Sequence, residues 1–409
     1  MSLSPPSPLH LAVALQDAGW HPAAWREPDA RPRELLDARY WLDSVQEAER
    51  GLLDFVTFED SLSLQSSLPF EPDDRTDQVR GRLDAVLTAA RVAPLTRHIG
   101  LVPSLVATHT EPFHLSKAIA TLDYVSTGRA GLRVQAAAQT HVAAHFGRRV
   151  LPPLSLADFG SGAGGQVQEV VADLFDEAAD YVEVVRRLWD SWEDDAEIRD
   201  AATGRFVDRD KLHYIDFEGR HFSVKGPSIT PRPPQGQPLV TALAHATVPY
   251  RLVARSADVG FVTPHEPAQA GPIVAEIRTE QQAAGRAAET VHIFGDLVVF
   301  LDDDAAAAGA RRARLDALLE APYRSDAPIF AGTPAQLADL LLEFQRNGLT
   351  GFRLRPADAE HDLRAITGGL VPELQSRGAF RRSYEAATLR GLLGLPRPAN
   401  RYAAGTAGA

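Results

Sequence analysis

The feature that most constrains the fold of this chain is a repeated alternation of short apolar runs with longer amphipathic segments. The short runs have the length of buried strands, and the segments between them carry apolar residues at helical spacing. The predicted strands are residues 9–15, 54–60, 98–106, 130–138, 238–245, 258–264, 291–301 and 350–356. Eight strand–helix units predict an α/β fold of the (β/α)8 TIM-barrel type, in which parallel strands close into a cylinder.

The chain is longer than this fold requires. It has 409 residues, whereas such barrels typically need about 250. We therefore expect a single domain over residues 1–409, with insertions at about 140–165, after strand four, and 195–236, before strand five. The second insertion contains a predicted hairpin at 215–224. The small and polar tail, residues 402–409, is predicted to be disordered.

The composition argues against several classes of function. The formal net charge of -12 argues against nucleic acid as a partner, because phosphate binding needs a basic surface. The chain has no cysteine, which excludes disulfides, thiolate nucleophiles and cysteine-ligated metal centres. No run reaches the roughly 18 apolar residues of a membrane span. The N-terminal stretch lacks the basic start of a signal peptide. We expect a cytoplasmic protein.

The segment "LADFGSGAGGQVQEVV", residues 156–171, contains the pattern G-x-G-x-x-G. A dinucleotide-binding loop of this kind is followed by a second strand that ends in an acidic residue about 20 residues later. Asp180 has that separation but lies inside a predicted helix over 166–192. A flexible insertion, serving as a hinge or lid, is therefore the favoured interpretation. A phosphate-contacting loop at a helix N-terminus and a complete Rossmann or methyltransferase domain are the alternatives.

The segment "HVAAH" places His141 and His145 four residues apart, the spacing of metal ligands on one face of a helix. A zinc peptidase has Glu at the second position, where this chain has Val142. We therefore interpret the two histidines as polar residues near the barrel mouth and predict no metal site.

Polar residues near the carboxyl ends of the predicted strands are better candidates, because barrels of this type build their active sites there. These candidates are Asp60 on strand two, Ser104, Thr108 and His109 around strand three, Gln139 and His141 after strand four, and His245 on strand five. Each has a structural alternative, since a carboxylate can cap a loop and a histidine can be a satisfied core residue. Their common position at one rim favours function.

Several longer stretches, distributed over nearly the whole chain, carry a family resemblance. They include "EAERGLLDFVTFED" (47–60), "IGLVPSLVATHTEPFHLSKAIATLDYVSTGRAG" (99–131), "DYVEVVRRLWDSW" (180–192), "GTPAQLADLL" (332–341) and "TLRGLLGLPRP" (388–398). Together they resemble the bacterial luciferase-like flavin monooxygenases, in particular the branch that acts on nitrilotriacetate, EDTA and dibenzothiophene sulfone.

This resemblance implies a luciferase-like barrel that binds reduced FMN, supplied by a separate flavin reductase, and uses O2 to oxidise a small organic substrate. A homodimer is the corresponding expectation for assembly. Asp60 falls on the acidic position that the family has on strand two, and Ser104 replaces a strand-three threonine with its hydroxyl kept.

Other positions of the family's flavin site differ in this chain. Arg133 and Ala137 lie in a segment where the family has an asparagine and two hydroxyl residues. Phe175 stands where the family has a tyrosine that helps to hold the cofactor. The strand-five phosphate loop is replaced by residues 241–250, which lack its glycines and its serine and leave Thr247 as a hydroxyl donor.

Three functions are compatible with this sequence, the last of them hydrolytic or metal-dependent barrel chemistry. The first is a monooxygenase with an altered phosphate site, in which Arg133, His245, Thr247 or the glycine-rich loop supplies the missing contacts. His109, His141 and His245 are then the candidate catalytic residues. The second is a non-catalytic or FMN-free barrel that acts as a partner subunit or a ligand-binding protein.

Overall fold

Eight parallel strands close into a barrel within the part of the chain that the computed structural model describes, residues 8–154 and 165–403. The strands are β1 (His10–Leu15), β2 (Phe55–Phe58), β3 (Gly100–Val106), β4 (Gly131–Gln135), β5 (Leu239–Leu243), β6 (Val259–Val262), β7 (His292–Leu301) and β8 (Gly351–Pro356). Neighbours in sequence are neighbours in the sheet, β8 pairs with β1, and all pairs are parallel. The predicted (β/α)8 barrel is confirmed.

Helices surround the barrel and alternate with its strands. They are α1 (Ala38–Arg50), α2 (Ala85–Val92), α3 (Pro112–Val125), α4 (Thr140–Phe146), α5 (Gly165–Asp190), α6 (Thr247–Ser256), α7 (Pro267–Ala283), α8 (Ala305–Leu319), α9 (Pro334–Arg346), α10 (Ala359–Ala365), α11 (Val371–Ser376) and α12 (Leu389–Leu392). A π-helical turn at Ile366–Leu370 joins α10 to α11. The sequence explains where α9 begins. The Thr333 hydroxyl accepts a hydrogen bond from the Gln336 N–H, and the Gln336 side chain accepts one from the Thr333 N–H, which together form a capping box.

The interior of the barrel is apolar at the amino ends of the strands. Alternate residues of each strand point inward, and Phe55, Val102, Leu239, Phe261 and Phe294 pack there with three leucines from the C-terminal segment. These leucines are Leu389, Leu393 and Leu395. The Leu393 carbonyl lies 2.9 Å from Nε2 of His292, at the start of β7. The segment around α12 therefore closes the amino end of the barrel, and the carboxyl end is left for chemistry.

Two hairpins lie between α5 and β5. One pairs Phe217–Glu218 with Ser223–Val224 and agrees with the predicted hairpin. The other pairs Glu197–Asp200 with Arg205–Val207 and was not predicted. A further strand, Ile329–Gly332, pairs in parallel with the second half of β7. It was also missed, because a run of four residues next to a helix carries too little periodicity to be recognised.

Some sequence features lie outside the described residues. They are the glycine-rich loop up to Gly164 and the tail from residue 404. The proposed hinge or lid role of the loop stays a prediction, as does the disorder of the tail. Among the helices of the described ranges, none has the combination of length and apolar character needed to cross a membrane.

Candidate functional site

Towards the carboxyl ends of the strands, the barrel interior is filled with charges instead of apolar side chains. We call five buried side chains the barrel charge cluster: Glu59, Arg133, Asp296, Arg353 and Arg355. Arg353 donates from Nε to Asp296 at 2.9 Å and from a terminal nitrogen to Glu59 at 3.1 Å. Arg133 pairs with the other Glu59 oxygen, and Arg355 donates from Nε to Asp296 at 3.1 Å.

The cluster keeps its two carboxylates charged. Burial alone raises the pKa of Glu59, but the charges of Arg133, Arg353 and Arg355 outweigh it and hold this pKa below its usual range. Burial likewise opposes ionisation of Asp296, and Arg353 and Arg355 again lower its pKa below the ordinary value. Each guanidinium therefore has a charged partner, which is the condition under which buried ions are tolerated.

Above the cluster lies a cavity of about 300 Å³. Its walls are the loop after β1, residues 16–25, the loop after β2, residues 61–82, and Gln139 with His141 after β4. Trp20 contacts both the barrel charge cluster and the cavity. The centre of its ring lies 4.4 Å from the guanidinium carbon of Arg355, and the same residue lines the cavity. We call this space the mouth cavity. It opens at the carboxyl ends of the strands, the face that carries active sites in this fold.

The mouth cavity combines apolar walls with unsatisfied polar atoms. The indole N–H groups of Trp20 and Trp25 donate to the carbonyls of Ala14 and Asp77, each at 2.9 Å, so the rings themselves face the cavity. Three other lining residues have a buried polar atom without a hydrogen-bond partner among the described residues. These atoms are Gln65 Oε1, Arg82 Nε and His141 Nδ1. An unpaired buried polar atom costs about 1–3 kcal/mol, and all three belong to residues that line the mouth cavity.

The three predicted catalytic histidines are not brought together. His141 lines the mouth cavity, whereas His109 lines a separate cavity of about 210 Å³ beside α5 and stacks on Phe146. Burial, reinforced by the charge of Arg149, lowers the pKa of His109 to about 4. His245 lies beyond β5, with Nδ1 3.0 Å from the Thr263 hydroxyl. Among the three, His141 has the position suited to a bound substrate.

His141 and His145 share α4, with their ring centres 6.4 Å apart. Within the described ranges, no three histidine or carboxylate side chains are arranged to hold a metal ion.

Asp60 follows β2, and Ser104 and Arg133 lie on β3 and β4. Arg133 donates from Nε to the Ser104 hydroxyl at 2.9 Å, so both belong to the barrel interior. The Asp60 carboxylate accepts the N–H groups of Ser61 at 2.7 Å and Ala85 at 2.9 Å. Burial nevertheless raises the pKa of Asp60. These bonds fix the loop between β2 and α2, which is the structural role that the sequence left open for Asp60.

Ala137, Phe175 and Thr247 lie further out on the β4–β5 side. The Ala137 N–H donates to the Thr108 hydroxyl at 2.8 Å. Phe175 lines a groove of about 450 Å³ between α5, α6 and α7. Thr247 begins α6, and its hydroxyl donates to the Glu276 carboxylate at 2.6 Å. The hydroxyl expected to meet a phosphate is thus already bonded to an anion.

Sequence reasoning missed the residues that dominate the interior. Arg353 and Arg355 are two positions apart in a predicted strand, and Glu59 lies two positions after Thr57 on another. Such pairs share one face of a strand, so charged residues at this spacing were the available signal. Gln65 and Arg82 lie in a long irregular loop, where no periodicity identifies them.

Comparisons with known proteins agree with this architecture. Residues 18–328 match the family of luciferase-like monooxygenases. Nitrilotriacetate monooxygenase component A of Aminobacter aminovorans is 28% identical, over 97% of this chain and 98% of that protein. N-acetyl-S-(2-succino)cysteine monooxygenase of Bacillus subtilis (strain 168) is 29% identical, over 97% of this chain and 98% of that protein.

The solved structure of EDTA monooxygenase from Chelativorans sp. BNC1 has a TM-score of 0.78 at 22% identity, covering 95% of this chain and 99% of that one. At that identity the structural likeness shows the fold. The family match covers most of the chain and includes six of the eight barrel strands, β2 to β7, in full. The resemblance seen in the sequence is confirmed, and the chain belongs to the luciferase-like monooxygenase family.

Proposed function

We propose that this protein is a two-component monooxygenase that uses reduced FMN and O2 to oxidise a small organic substrate in the mouth cavity. The observation that carries the proposal is the mouth cavity itself, with its unpaired polar atoms at the carboxyl end of a luciferase-like barrel. A separate reductase is proposed because one relative is named as a component A. A homodimer and a cytoplasmic location stay predictions.

A flavin ring needs hydrogen-bond partners at its polar edge and apolar walls elsewhere. His141 lines the mouth cavity together with Trp20 and Trp25, and its Nδ1 has no partner among the described residues. We propose that His141 contacts the ring. When bound, the reduced flavin supplies the electrons with which O2 is activated.

The chain's own residues have supporting roles. Trp20 and Trp25 wall the cavity and exclude water from the reacting centre. His141, the one predicted catalytic residue in this cavity, is positioned to accept or hold a proton at Nδ1. The barrel charge cluster beneath fixes Trp20 through Arg355. Arg133, bonded to Glu59 and Ser104 inside the barrel, has no part in the proposed ring contacts.

A second candidate is an FMN-free barrel, and a specific observation favours it. Near the start of α6, the Thr247 hydroxyl donates to Glu276. In the adjoining groove, Arg251 and Arg255 are paired with Glu280 and Asp176, each at 3.1 Å. The described residues therefore offer no free cation or hydroxyl for a phosphate there.

Titration of the purified protein with FMN and reduced FMN, followed by fluorescence or calorimetry, separates the two functions. We expect saturable binding of the reduced form, and O2 consumption that requires NADH and a flavin reductase. No binding at hundreds of micromolar would reject the monooxygenase and leave the FMN-free barrel.

A further inference from the structure

We propose that a groove between α1 and α2 is the interface of a symmetric homodimer, in which the same groove of a second copy of this chain is the occupant. The sequence predicted a homodimer without indicating a surface. Of the proposed function, only this homodimer enters here. The association needs neither flavin nor substrate, so it can fail independently of the monooxygenase.

The groove exposes apolar side chains that have no cover within the chain. Its volume is about 220 Å³, and Trp41 of α1 is part of its lining. Leu36, just before α1, is 64% exposed, and Leu87 on α2 is 70% exposed. Leu83, just before α2, lies between them in the lining and is also exposed. Contiguous exposed apolar side chains with polar neighbours are typical of protein–protein contacts.

One stripe of α2 carries an unpaired charge at each end. Asp84, Leu87, Thr88 and Arg91 all line the groove, and their spacings of three, four and seven residues place them on one side of the helix. Among the described residues, neither the Asp84 carboxylate nor the Arg91 guanidinium has an ion-pair partner. On the neighbouring α1, by contrast, Arg39 pairs with an acid four residues later at 2.6 Å.

A two-fold axis makes this stripe complementary to itself. If two copies of α2 pack antiparallel around an axis between Leu87 and Thr88, Asp84 of each copy lies opposite Arg91 of the other. Both charges are the same number of residues from that axis. Leu87 then packs against its own counterpart, whereas a parallel arrangement would place like charges together. An interface that uses the same patch on both subunits closes as a dimer.

The groove adjoins the mouth cavity along the chain. Arg82 lines the mouth cavity, and the next residue, Leu83, lines the groove. The Ala85 N–H, at the start of α2, donates to the Asp60 carboxylate at 2.9 Å. A second copy on α2 therefore packs next to the segment that ends the loop wall of the mouth cavity.

A single introduced cysteine tests the symmetry. The chain has no cysteine of its own, so Thr88→Cys carries the only thiol. A disulfide needs Cα atoms within about 7 Å of each other, and residue 88 faces its own counterpart across the proposed axis. We expect mild oxidation of the purified protein to give a covalent dimer. Ile229→Cys is the control, since Ile229 is 68% exposed but lies outside the groove, and it should run as a monomer on a denaturing gel.

Analytical ultracentrifugation measures the dimer itself. We expect the dissociation constant of the dimer to rise at least tenfold in Leu87→Glu, because a carboxylate then lies at the centre of the apolar contact. Ile229→Glu introduces the same charge at an equally exposed position and should leave the dissociation constant unchanged.

The charge pair has its own test. Asp84 accepts the Leu87 N–H at 2.8 Å, and Asp84→Asn keeps a side chain that can cap α2 in the same way. This substitution should weaken the unaltered dimer, in which Arg91 loses its partner. It should strengthen the dimer of Arg91→Glu, in which it removes a like-charge contact.

Four results would overturn the proposal: a protein that stays monomeric at every concentration, equal cross-linking of Thr88→Cys and Ile229→Cys, a dimer as tight in Leu87→Glu as in the unaltered chain, or Asp84→Asn acting in the same direction in both backgrounds. A dimer of this kind in a protein that binds no flavin would reject the monooxygenase and leave the interface standing.

Discussion

Arg353 and Asp296 form an ion pair in the centre of the barrel, with Nε donating to Oδ1 at 2.9 Å and neither residue exposed to solvent. Asp296 is also bonded to Arg355, so one carboxylate serves two guanidinium groups on neighbouring positions of β8's inner face. In most barrels of this type, branched apolar side chains fill this part of the interior. In this protein, the stability of the interior depends on each buried charge keeping its oppositely charged partner.

Removing Asp296 should therefore be strongly destabilising. We expect Asp296→Ala to lower the free energy of unfolding by about 3–5 kcal/mol, because Arg353 and Arg355 then lose their shared counter-ion inside the barrel. Urea denaturation measures the effect. Asp303→Ala, at an exposed position before α8, is the control and should change stability by less than about 0.5 kcal/mol. A loss below about 1 kcal/mol in Asp296→Ala would show that the cluster is not a structural requirement.

Stability should fall at acid pH through His292. Burial, with a further contribution from His10, lowers the pKa of His292 from 6.5 to about 4. Between these two pH values His292 is protonated in the unfolded chain and neutral in the folded protein. The free energy of unfolding therefore decreases as pH falls through this window. His292→Gln should flatten this dependence by on the order of 2 kcal/mol between pH 7 and 4. Denaturation curves across this range give the slope; an unchanged slope in the variant would contradict the assignment.

Flavin binding should depend on His141 and not on its neighbour. If His141 Nδ1 contacts the ring, His141→Ala should weaken the binding of reduced FMN by about 0.5–1.5 kcal/mol, which raises its Kd roughly 2- to 13-fold. His145→Ala is the matched control, since His145 is exposed on the same short helix. Fluorescence titration measures both affinities. Equal losses in the two variants would remove His141 from the flavin site.

The acidic residue beside Thr247 should oppose a phosphate. We expect Thr247→Ala to change FMN affinity little, because this hydroxyl already donates to Glu276. Glu276→Gln should strengthen FMN binding by about 0.2–1 kcal/mol, the scale of exposed ion pairs. The affinity for riboflavin, which has no phosphate, should not change. Calorimetry with the two flavins reads the difference directly. If Glu276→Gln tightens riboflavin as much as FMN, the effect does not act through the phosphate.

The barrel was predictable because strand and helix periodicities are local properties of the sequence. The position of His141 at the rim followed from the same reasoning, whereas the family was identified from the resemblance of longer stretches such as residues 99–131. The barrel charge cluster did not, since an arginine such as Arg353 on a strand says nothing of which carboxylate will reach it. The sequence also could not predict that Arg82 makes no ion pair within the described ranges, because this depends on Asp77 and Asp73 pairing with Arg75 and Arg80.

The segment around Leu389–Leu392 limits the direction from which a ligand can approach. Leu389, Leu393 and Leu395 fill the amino end of the barrel, and the mouth cavity of the described residues lies at the opposite end. Under the proposed function, cofactor and substrate therefore approach the interior from the same side.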